Sequence, residues 1–507
     1  MTIAELLKPL SPLECRGDLS ADVLAITDDS RHVTNGSLFV AVKGTHVDGH
    51  DYTEQAWGNG AVGIIVEGRK PTEQEAVSPG AVTLNAERPV VVVDDSKHAL
   101  GLLASRLHAD PSLHLKMIGV TGTNGKTTVT HLIRALFEGA GKKTGIVGTV
   151  GYFVGDEFFP ASHTTPGAVQ LQELLGNMLH AGLDTSILEV SSHALALGRV
   201  AGCEFDIAVF TNLTQDHLDF HLNMDDYFAA KQRLFTEFLA SHHKASSKRA
   251  VVNVDDEWGA KLSQTCSAPV WTYGIRVAAD IQAHDIKFSL EGTQFRVNTP
   301  QGSVSIHSQL VGEHNVYNQL AAIGVGLESG LSLETIASSL TSVKNVPGRF
   351  ERIDQGQKFT VIVDYAHTDD ALLRVLLAAK SLGANHIITV FGCGGDRDRG
   401  KRPKMGEVAV RYSDLAILTS DNPRTEDPMT ILQDIERGIL EVPQSMRSDY
   451  RMIADRREAI EAAIDAAETK DIVLIAGKGH EDYQIVGTTR LDFDDRQVAR
   501  QALQRRT

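Results

Sequence analysis

At 507 residues the chain exceeds what one hydrophobic core sustains, so two to four domains are expected and three are carried forward. An apolar fraction of 42% with 22% charged residues excludes a disordered chain. The formal charge of -16 excludes a protein whose main task is gripping nucleic acid, but an anionic small molecule needs only a few cations in a cleft.

Cys15, Cys203, Cys266 and Cys393 are far apart and lack paired metal-type spacing, which argues against a disulfide framework or a zinc site and for a reducing compartment. The opening Met-Thr-Ile-Ala-Glu puts an acid where a signal peptide carries positive charge, and no apolar run is long enough for a bilayer. A cytoplasmic protein without membrane insertion is expected.

Along the first hundred residues, Leu38 to Val42, Val62 to Val66 and Val90 to Val93 read as short strands between Gly- and Asp-rich turns, and His98 to His108 as helix. Asp110-Pro111-Ser112 breaks the pattern and ends a small α/β domain, residues 1–109. From Met117 a strand, a glycine loop and a helix follow, and Ile187 to Val190 and Ile207 to Phe210 read as buried strands of a parallel sheet, residues 110–345. Around Ser342 to Arg349 the periodicity lapses at a proline. Thr360 to Asp364, His386 to Phe391, Leu415 to Thr419 and Ile472 to Ala476 then alternate with helical segments, which predicts a doubly wound, Rossmann-like domain over 346–507.

The strongest local signal is Gly122-Thr123-Asn124-Gly125-Lys126-Thr127-Thr128, which directly follows the strand from Met117. Glycines let backbone N–H groups turn inward, the helix presents its positive end, Lys126 meets the distal phosphates of ATP and Thr127 can hold magnesium. The spacing departs from the usual phosphate loop, because Val120 stands where a glycine is required, flanked by Gly119 and Gly122.

That Gly-Thr-Asn-Gly-Lys-Thr variant resembles the Mur ligases and the folylpolyglutamate synthetases. Leu188 to His193, Thr211 to Asp219 and Gly312 to Asn318 each look like Mur ligase signatures. Singly, an acid at a strand end is more often a helix cap and a lone histidine a satisfied core residue. Their shared order after the phosphate loop reverses those odds. Glu189, at the end of an apolar strand, falls at the carboxyl edge of the sheet, where such folds bind ligands and where a hard oxygen suits magnesium. By resemblance, Glu189 and His217 serve metal and catalysis, and Asn315 and Asn318 place the nucleotide. Lys231, alone a solvated helix charge, matches the family's lysine that carries a carbamate, N6-carboxylysine, which supplies an anionic oxygen to a metal.

Pro347 to Glu351 and Asp364 to Thr368 also resemble the family, which implies nucleotide contacts from Arg349 and Asp364. Asp369 replaces the usual proline, a departure that loosens the turn if nothing compensates. Ser420-Asp421-Asn422-Pro423-Arg424 resembles the diaminopimelate-specific signature, and a planar guanidinium can grip the carboxylate that distinguishes diaminopimelate from lysine. Arg397, Gly477 and Glu481 join Asp421, Asn422, Pro423 and Arg424 around that amino acid by resemblance. At the other end, Ser30, Thr45, His46 and Val47 look like UDP contacts, and Thr164, Thr165, Ser191 and Arg199 match positions that hold a muramoyl dipeptide.

The resemblance therefore implies magnesium- and ATP-dependent ligation of meso-diaminopimelate to UDP-N-acetylmuramoyl-L-alanyl-D-glutamate through an acyl phosphate, by a monomer with small-molecule partners. A folylpolyglutamate synthetase or a lysine-adding relative is disfavoured by Arg424 and by the separate N-terminal module. A P-loop switch without ligation is disfavoured by the charged loops of the last domain.

Overall fold

A computed structural model describes residues 1–44, 47–68, 88–240, 244, 247–289 and 291–506; Thr45 and His46, expected to contact UDP, lie outside the described residues. Three α/β modules, each with its own main sheet, follow one another along the chain. By packing, the chain divides into two compact units, Met1–Gly119 with Lys143–Ile207 and Arg233–Lys248, and Val120–Lys142 with Ala208–Gln232 and Arg249–Thr507.

In the first unit, β1 (Glu14–Arg16), β2 (Ala25–Thr27), β3 (Ser37–Val40), β4 (Ala61–Glu67) and β5 (Val90–Val93) form a sheet in the order β1-β5-β4-β3-β2. Only β1 runs antiparallel to its neighbour. Leu38, Val40, Ile65 and Val91 meet Leu100 and Leu103 of the helix Ser96–Leu107 in one core. Asp95 starts that helix by accepting from the His98 N–H at 2.9 Å. The unit also holds the first four residues of β6 (Lys116–Thr121), with β7 (Thr144–Val147), β8 (Tyr152–Val154), β9 (Glu157–Phe159) and β10 (Thr185–Glu189) in the order β6-β10-β7-β8-β9. Gly119 is a packing residue, since a Cβ there would lie 2.8 Å from the Phe205 ring.

The second unit contains β11 (Ile207–Phe210) apart from its first residue, then β12 (Arg249–Asn253), β13 (Val270–Gly274), β14 (Ile281–Ser289), β15 (Gly292–Thr299) and β16 (Gly302–Ser308), neighbours in that order. β12, β13 and β14 are parallel, but β14, β15 and β16 form an antiparallel meander that extends the expected parallel sheet. Beside them runs the helix Glu313–Glu328, buried on nearly every side.

The last module is a six-stranded sheet of β17 (Glu351–Ile353), β18 (Thr360–Asp364), β19 (Ile387–Phe391), β20 (Leu415–Leu418), β21 (Asp449–Met452) and β22 (Ile472–Ala476), in the order β17-β18-β22-β19-β20-β21. All but β17 are parallel. Ile362, Phe391 and Leu418 face one helical layer, and Val361, Val363, Val390 and Ile417 the other. Both faces are covered, as a parallel sheet requires. A two-stranded hairpin, β23 (Tyr483–Val486) and β24 (Thr489–Asp492), follows β22. Among the described residues no helix is long and apolar enough to cross a membrane.

Candidate active site

The phosphate loop leaves β6 and enters the helix Lys126–Gly139. Gly122 (φ +143) and Gly125 (φ +90) hold backbone conformations that side chains rarely adopt. A Cβ at Gly122 would lie 1.9 Å from the Thr211 hydroxyl, and one at Gly125 2.4 Å from Asn318 Oδ1. Asn318 thus buttresses the loop from below, itself held by Nδ2 donating to Asn315 Oδ1 at 3.1 Å.

The 211–214 segment fastens the other side. The Thr123 N–H donates to the Asn212 carbonyl at 2.8 Å, the Asn124 N–H to Asn212 Oδ1 at 3.0 Å, and the Thr211 hydroxyl to the Asn124 carbonyl at 2.7 Å. Lys126 Nζ reaches back to the Gly122 and Thr123 carbonyls at 3.0 and 2.8 Å. These bonds hold the ammonium over the loop.

Lys231 is 1% exposed, with Nζ donating to the Gly122 carbonyl at 2.8 Å and lying 4.5 Å from the centre of the Tyr227 ring. Burial pushes its ammonium well below the usual lysine range, the neighbouring Lys126 charge pushes the same way, and Asp216 opposes them. The expectation of a solvated helix charge, had the residue been read alone, does not describe this site. A buried amine with weakened basicity does.

Arg349 donates from Nη2 to the Thr127 hydroxyl at 2.9 Å and stacks 4.4 Å from the centre of the Tyr365 ring. Asp364 accepts from the Phe350 and Ala366 N–H groups at 2.6 and 2.7 Å, so it shapes the turn that carries Arg349. Burial raises its carboxyl, against the pull of the Arg349 charge. Asp369 does not loosen its turn. The Thr368 hydroxyl caps the helix Asp369–Ser381 by accepting from the Ala371 N–H, and an acid at the first helical position suits the helix dipole. Next to it, Asp370 accepts from Asn124 Nδ2 at 3.0 Å, a tie onto the phosphate loop.

His217 has φ +56 and lies with Nε2 3.5 Å from Asp216 Oδ2. Burial alone would raise the Asp216 carboxyl, but His217, Lys401 and His367 outweigh it and hold the acid well below the usual range. His367 stands with Nε2 4.0 Å from the same oxygen, Nδ1 donating to the Tyr365 carbonyl, and is pushed down to about 4 by its surroundings and by Lys401. Asp216, His367 and Lys401 were not singled out from sequence. Two of them sit inside recognised motifs, but only the fold brings the three together.

At the carboxyl ends of β19, β20 and β22, three loops supply the expected amino-acid residues. Arg424 (φ +52) donates from Nη1 to the Gly395 carbonyl at 2.7 Å, and its charge lies near that of Arg397. Glu481 accepts from Asn422 Nδ2 at 3.0 Å and from Lys478 Nζ at 3.2 Å, and its carboxyl is raised by burial and by Asp421. Burial raises and Lys478 and Arg456 lower the Asp421 carboxyl, with a net downward shift. Gly477 (φ +119) must be glycine, because a Cβ there would lie 2.6 Å from Asp421 Oδ2. Pro423 contributes backbone, its carbonyl packed against Gly395.

Beneath these loops lies Arg456, fully buried with Asp495, donating from Nη1 to the Ser420 carbonyl at 3.3 Å and from Nη2 to the Ala476 carbonyl at 3.0 Å. One guanidinium therefore ties the ends of β20 and β22 together. Arg456 carried no sequence signal, and Lys478 lies inside the recognised Gly477 to Glu481 segment but was not singled out.

In the first unit, Glu189 ends β10, 1% exposed, with Oε1 and Oε2 accepting from the N–H and hydroxyl of Thr149, each at 2.9 Å. A Cβ at Gly148 would lie 2.4 Å from Glu189 Oε1. The Thr165 hydroxyl donates to the Glu189 carbonyl at 2.7 Å, Arg199 Nη1 donates to the Thr165 carbonyl at 2.8 Å, and Thr164 meets Thr149 at 3.1 Å. Ser191 caps the helix Ser192–Ala196. These residues form one cluster. Ser30 is buried in the N-terminal module, bonded to Gln55, and Val47 is exposed.

Among the described residues no group of three or more His, Cys, Asp or Glu forms a ready metal cage. Magnesium bound with nucleotide phosphates and water needs only one or two protein oxygens, and the Thr127 hydroxyl at the helix start has that character. The donor set fits such a loosely held ion.

Comparison with known proteins agrees with this arrangement. Residues 23–108 match the profile described as Mur ligase family, catalytic domain, residues 120–326 the Mur ligase middle domain, and residues 348–479 the Mur ligase, glutamate ligase domain. A UDP-N-acetylmuramoyl-L-alanyl-D-glutamate--2,6-diaminopimelate ligase from Geobacillus thermodenitrificans is 49% identical over 96% of each chain. A solved structure of a ligase of the same description aligns over 100% of this chain and 99% of its own, with a TM-score of 0.69 and 34% identity. The MurF ligase of Thermotoga maritima in complex with ADP shares the fold, with a TM-score of 0.62 at 18% identity over 96% and 99% of the two chains. On its sequence, its sheets and its phosphate loop together, the chain belongs to the Mur ligase family.

Proposed function

We propose that the protein joins meso-2,6-diaminopimelate to UDP-N-acetylmuramoyl-L-alanyl-D-glutamate at the expense of ATP, through an acyl phosphate, as a step of peptidoglycan synthesis. The observation that carries this reading is the pairing of Arg397 and Arg424 in loops that also present Asp421 and Glu481. Two cations and two acids match an amino acid with an additional ammonium-bearing carboxylate end, and a guanidinium grips carboxylate through parallel hydrogen bonds. Lysine offers no second carboxylate. The three parts divide near residues 110 and 346.

The glutamate carboxylate attacks the γ-phosphate of ATP, ADP leaves, and the diaminopimelate amine then displaces phosphate from the acyl carbon. Lys126 turns from the Gly122 and Thr123 carbonyls to the phosphates, and Arg349 acts beside Thr127 on the same charge. Most of the catalytic task is placing two anions together. When bound, magnesium would neutralise phosphate charge; Thr127 and His217 of the second unit would be the residues to hold it, with Lys231 once carbamylated. Glu189 is a further metal-directed carboxylate of the first unit.

Lys231 becomes such a ligand when its neutral amine adds to the carbon of CO2 and loses a proton, giving an anionic carbamate. Its burial and weakened basicity support that reaction. The UDP-dipeptide falls to Ser30, the Thr45 to Val47 loop, Thr164, Thr165, Ser191 and Arg199. No membrane partner is needed, and the enzyme acts as a cytoplasmic monomer.

The test is ADP release with ATP alone, with each second substrate omitted, and with all three. ADP formation that requires both the UDP-dipeptide and diaminopimelate supports the reading. Equal release without them would leave a nucleotide switch.

A further inference from the structure

Arg424 holds a left-handed backbone, φ +52, which any residue with a Cβ adopts at a cost unless neighbours impose it. The neighbours are in the β23–β24 hairpin. The Arg424 N–H donates to the Ile485 carbonyl at 3.0 Å, and the Gly487 N–H donates to the Arg424 carbonyl at 2.7 Å. Gln484 Nε2 donates to the Asp421 carbonyl at 2.8 Å, and the Ile485 N–H to Asn422 Oδ1 at 2.9 Å. Four hydrogen bonds thus fasten residues 421–424 to residues 484–487.

The clamp also sets the side chain. With its backbone so held, Arg424 delivers Nη1 to the Gly395 carbonyl, in the loop that carries Arg397. The hairpin is braced in turn by Arg490, 3.8 Å from the centre of the Tyr483 ring. Gly487 turns the hairpin at φ +61, and a Cβ there meets nothing within 4 Å. Its requirement is therefore one of backbone conformation, not of space.

We propose that the β23–β24 hairpin is a specificity-determining element, in which Gln484 and Gly487 act through Arg424 as positioning residues for the substrate's distal carboxylate. The proposal rests on the reading that this pocket takes diaminopimelate. Residues that need not touch the amino acid then decide how well it is told from lysine.

Gly487→Val and Gly487→Asn separate this role from a merely structural one. Both side chains enter open space, but asparagine tolerates the left-handed region and a β-branched residue does not. For Gly487→Val and for Gln484→Leu, kcat/KM for diaminopimelate should fall about tenfold, the effect of one or two lost hydrogen bonds. For lysine it should stay within about twofold, with KM for ATP unchanged, and Gly487→Asn should retain wild-type selectivity. Amide hydrogen exchange at Arg424 should quicken in Gly487→Val alone of the two glycine variants. Equal losses for both amino acids, or faster exchange with an unchanged ratio, overturn the hairpin's role. A wild type that does not prefer diaminopimelate to lysine overturns instead the reading on which the proposal rests.

Discussion

Lys231 donates its amine hydrogen to the carbonyl of Gly122 at 2.8 Å, so the lysine nitrogen of the helix Met224–Arg233 rests against the first turn of the phosphate loop. Modification or loss of that amine is thereby coupled to the loop's conformation as well as to its charge.

Replacing Lys231 by alanine should abolish most ligation, and short carboxylates such as formate or acetate should restore part of it by supplying the missing anionic oxygen. Carbon-13 NMR of enzyme equilibrated with labelled bicarbonate should show a carbamate signal in the wild type and none in Lys231→Ala. A wild-type spectrum without that signal under turnover conditions rules the modification out.

Lys126→Ala should lower kcat by at least about a hundredfold, the scale of losing one preorganised donor to developing phosphate charge. Circular dichroism should be unchanged, because the hydrogen bonds lost to the Gly122 and Thr123 carbonyls lie within one loop. A folded variant with near-normal turnover would remove Lys126 from the mechanism.

Arg424→Ala should reduce the preference for diaminopimelate over lysine by about one to two powers of ten, from charge-assisted hydrogen bonds of about 1.5–3 kcal/mol. Competition between the two amino acids at saturating ATP and UDP-dipeptide measures the ratio directly. If it does not move, another group reads the distal carboxylate.

Stability in acid should depend on Glu426, whose carboxylate is bonded to the fully buried Arg402 at 2.8 Å and is held by that hydrogen bond at about 2 instead of 4.5. Because the folded state lowers the pKa, the contribution is complete above pH 4.5 and drains away as pH falls toward about 2. Thermal unfolding of Glu426→Gln should therefore lie below wild type at pH 7, with the gap closing as the pH approaches 2. A gap independent of pH would show that shape, not charge, sets the effect.

Elements set by local pattern were legible in the sequence. Gly122 to Thr128 follow a strand and lead into a helix, as their glycines and the apolar run before them implied despite the unusual spacing, and Glu189 does end its strand. The strands at Val90, Ile207, Thr360 and Ile472 fall where apolar runs put them. β14 to β16 escaped notice because β14 intersperses Ile281, Ala283, Ile286 and Phe288 among polar residues and presents no apolar run. The hairpin after Glu481 was hidden for a similar reason, since β24 is exposed throughout. Asp216, His367 and Lys401 come from three distant segments, and their meeting is a product of the sheet order, which no local pattern encodes.

Arg456 gives the helix Asp495–Arg506 a part in holding the loops that follow β20 and β22. Its bonded counter-charge, Asp495, is the first residue of the helix Asp495–Arg506, and both side chains are fully buried, so loss of that carboxylate would leave the guanidinium without its hydrogen-bonded ion pair. The Ser420 and Ala476 carbonyls would then lose their common anchor. The helix Asp495–Arg506 thus takes part in these loops without lining them: its first carboxylate holds the guanidinium that joins the ends of β20 and β22.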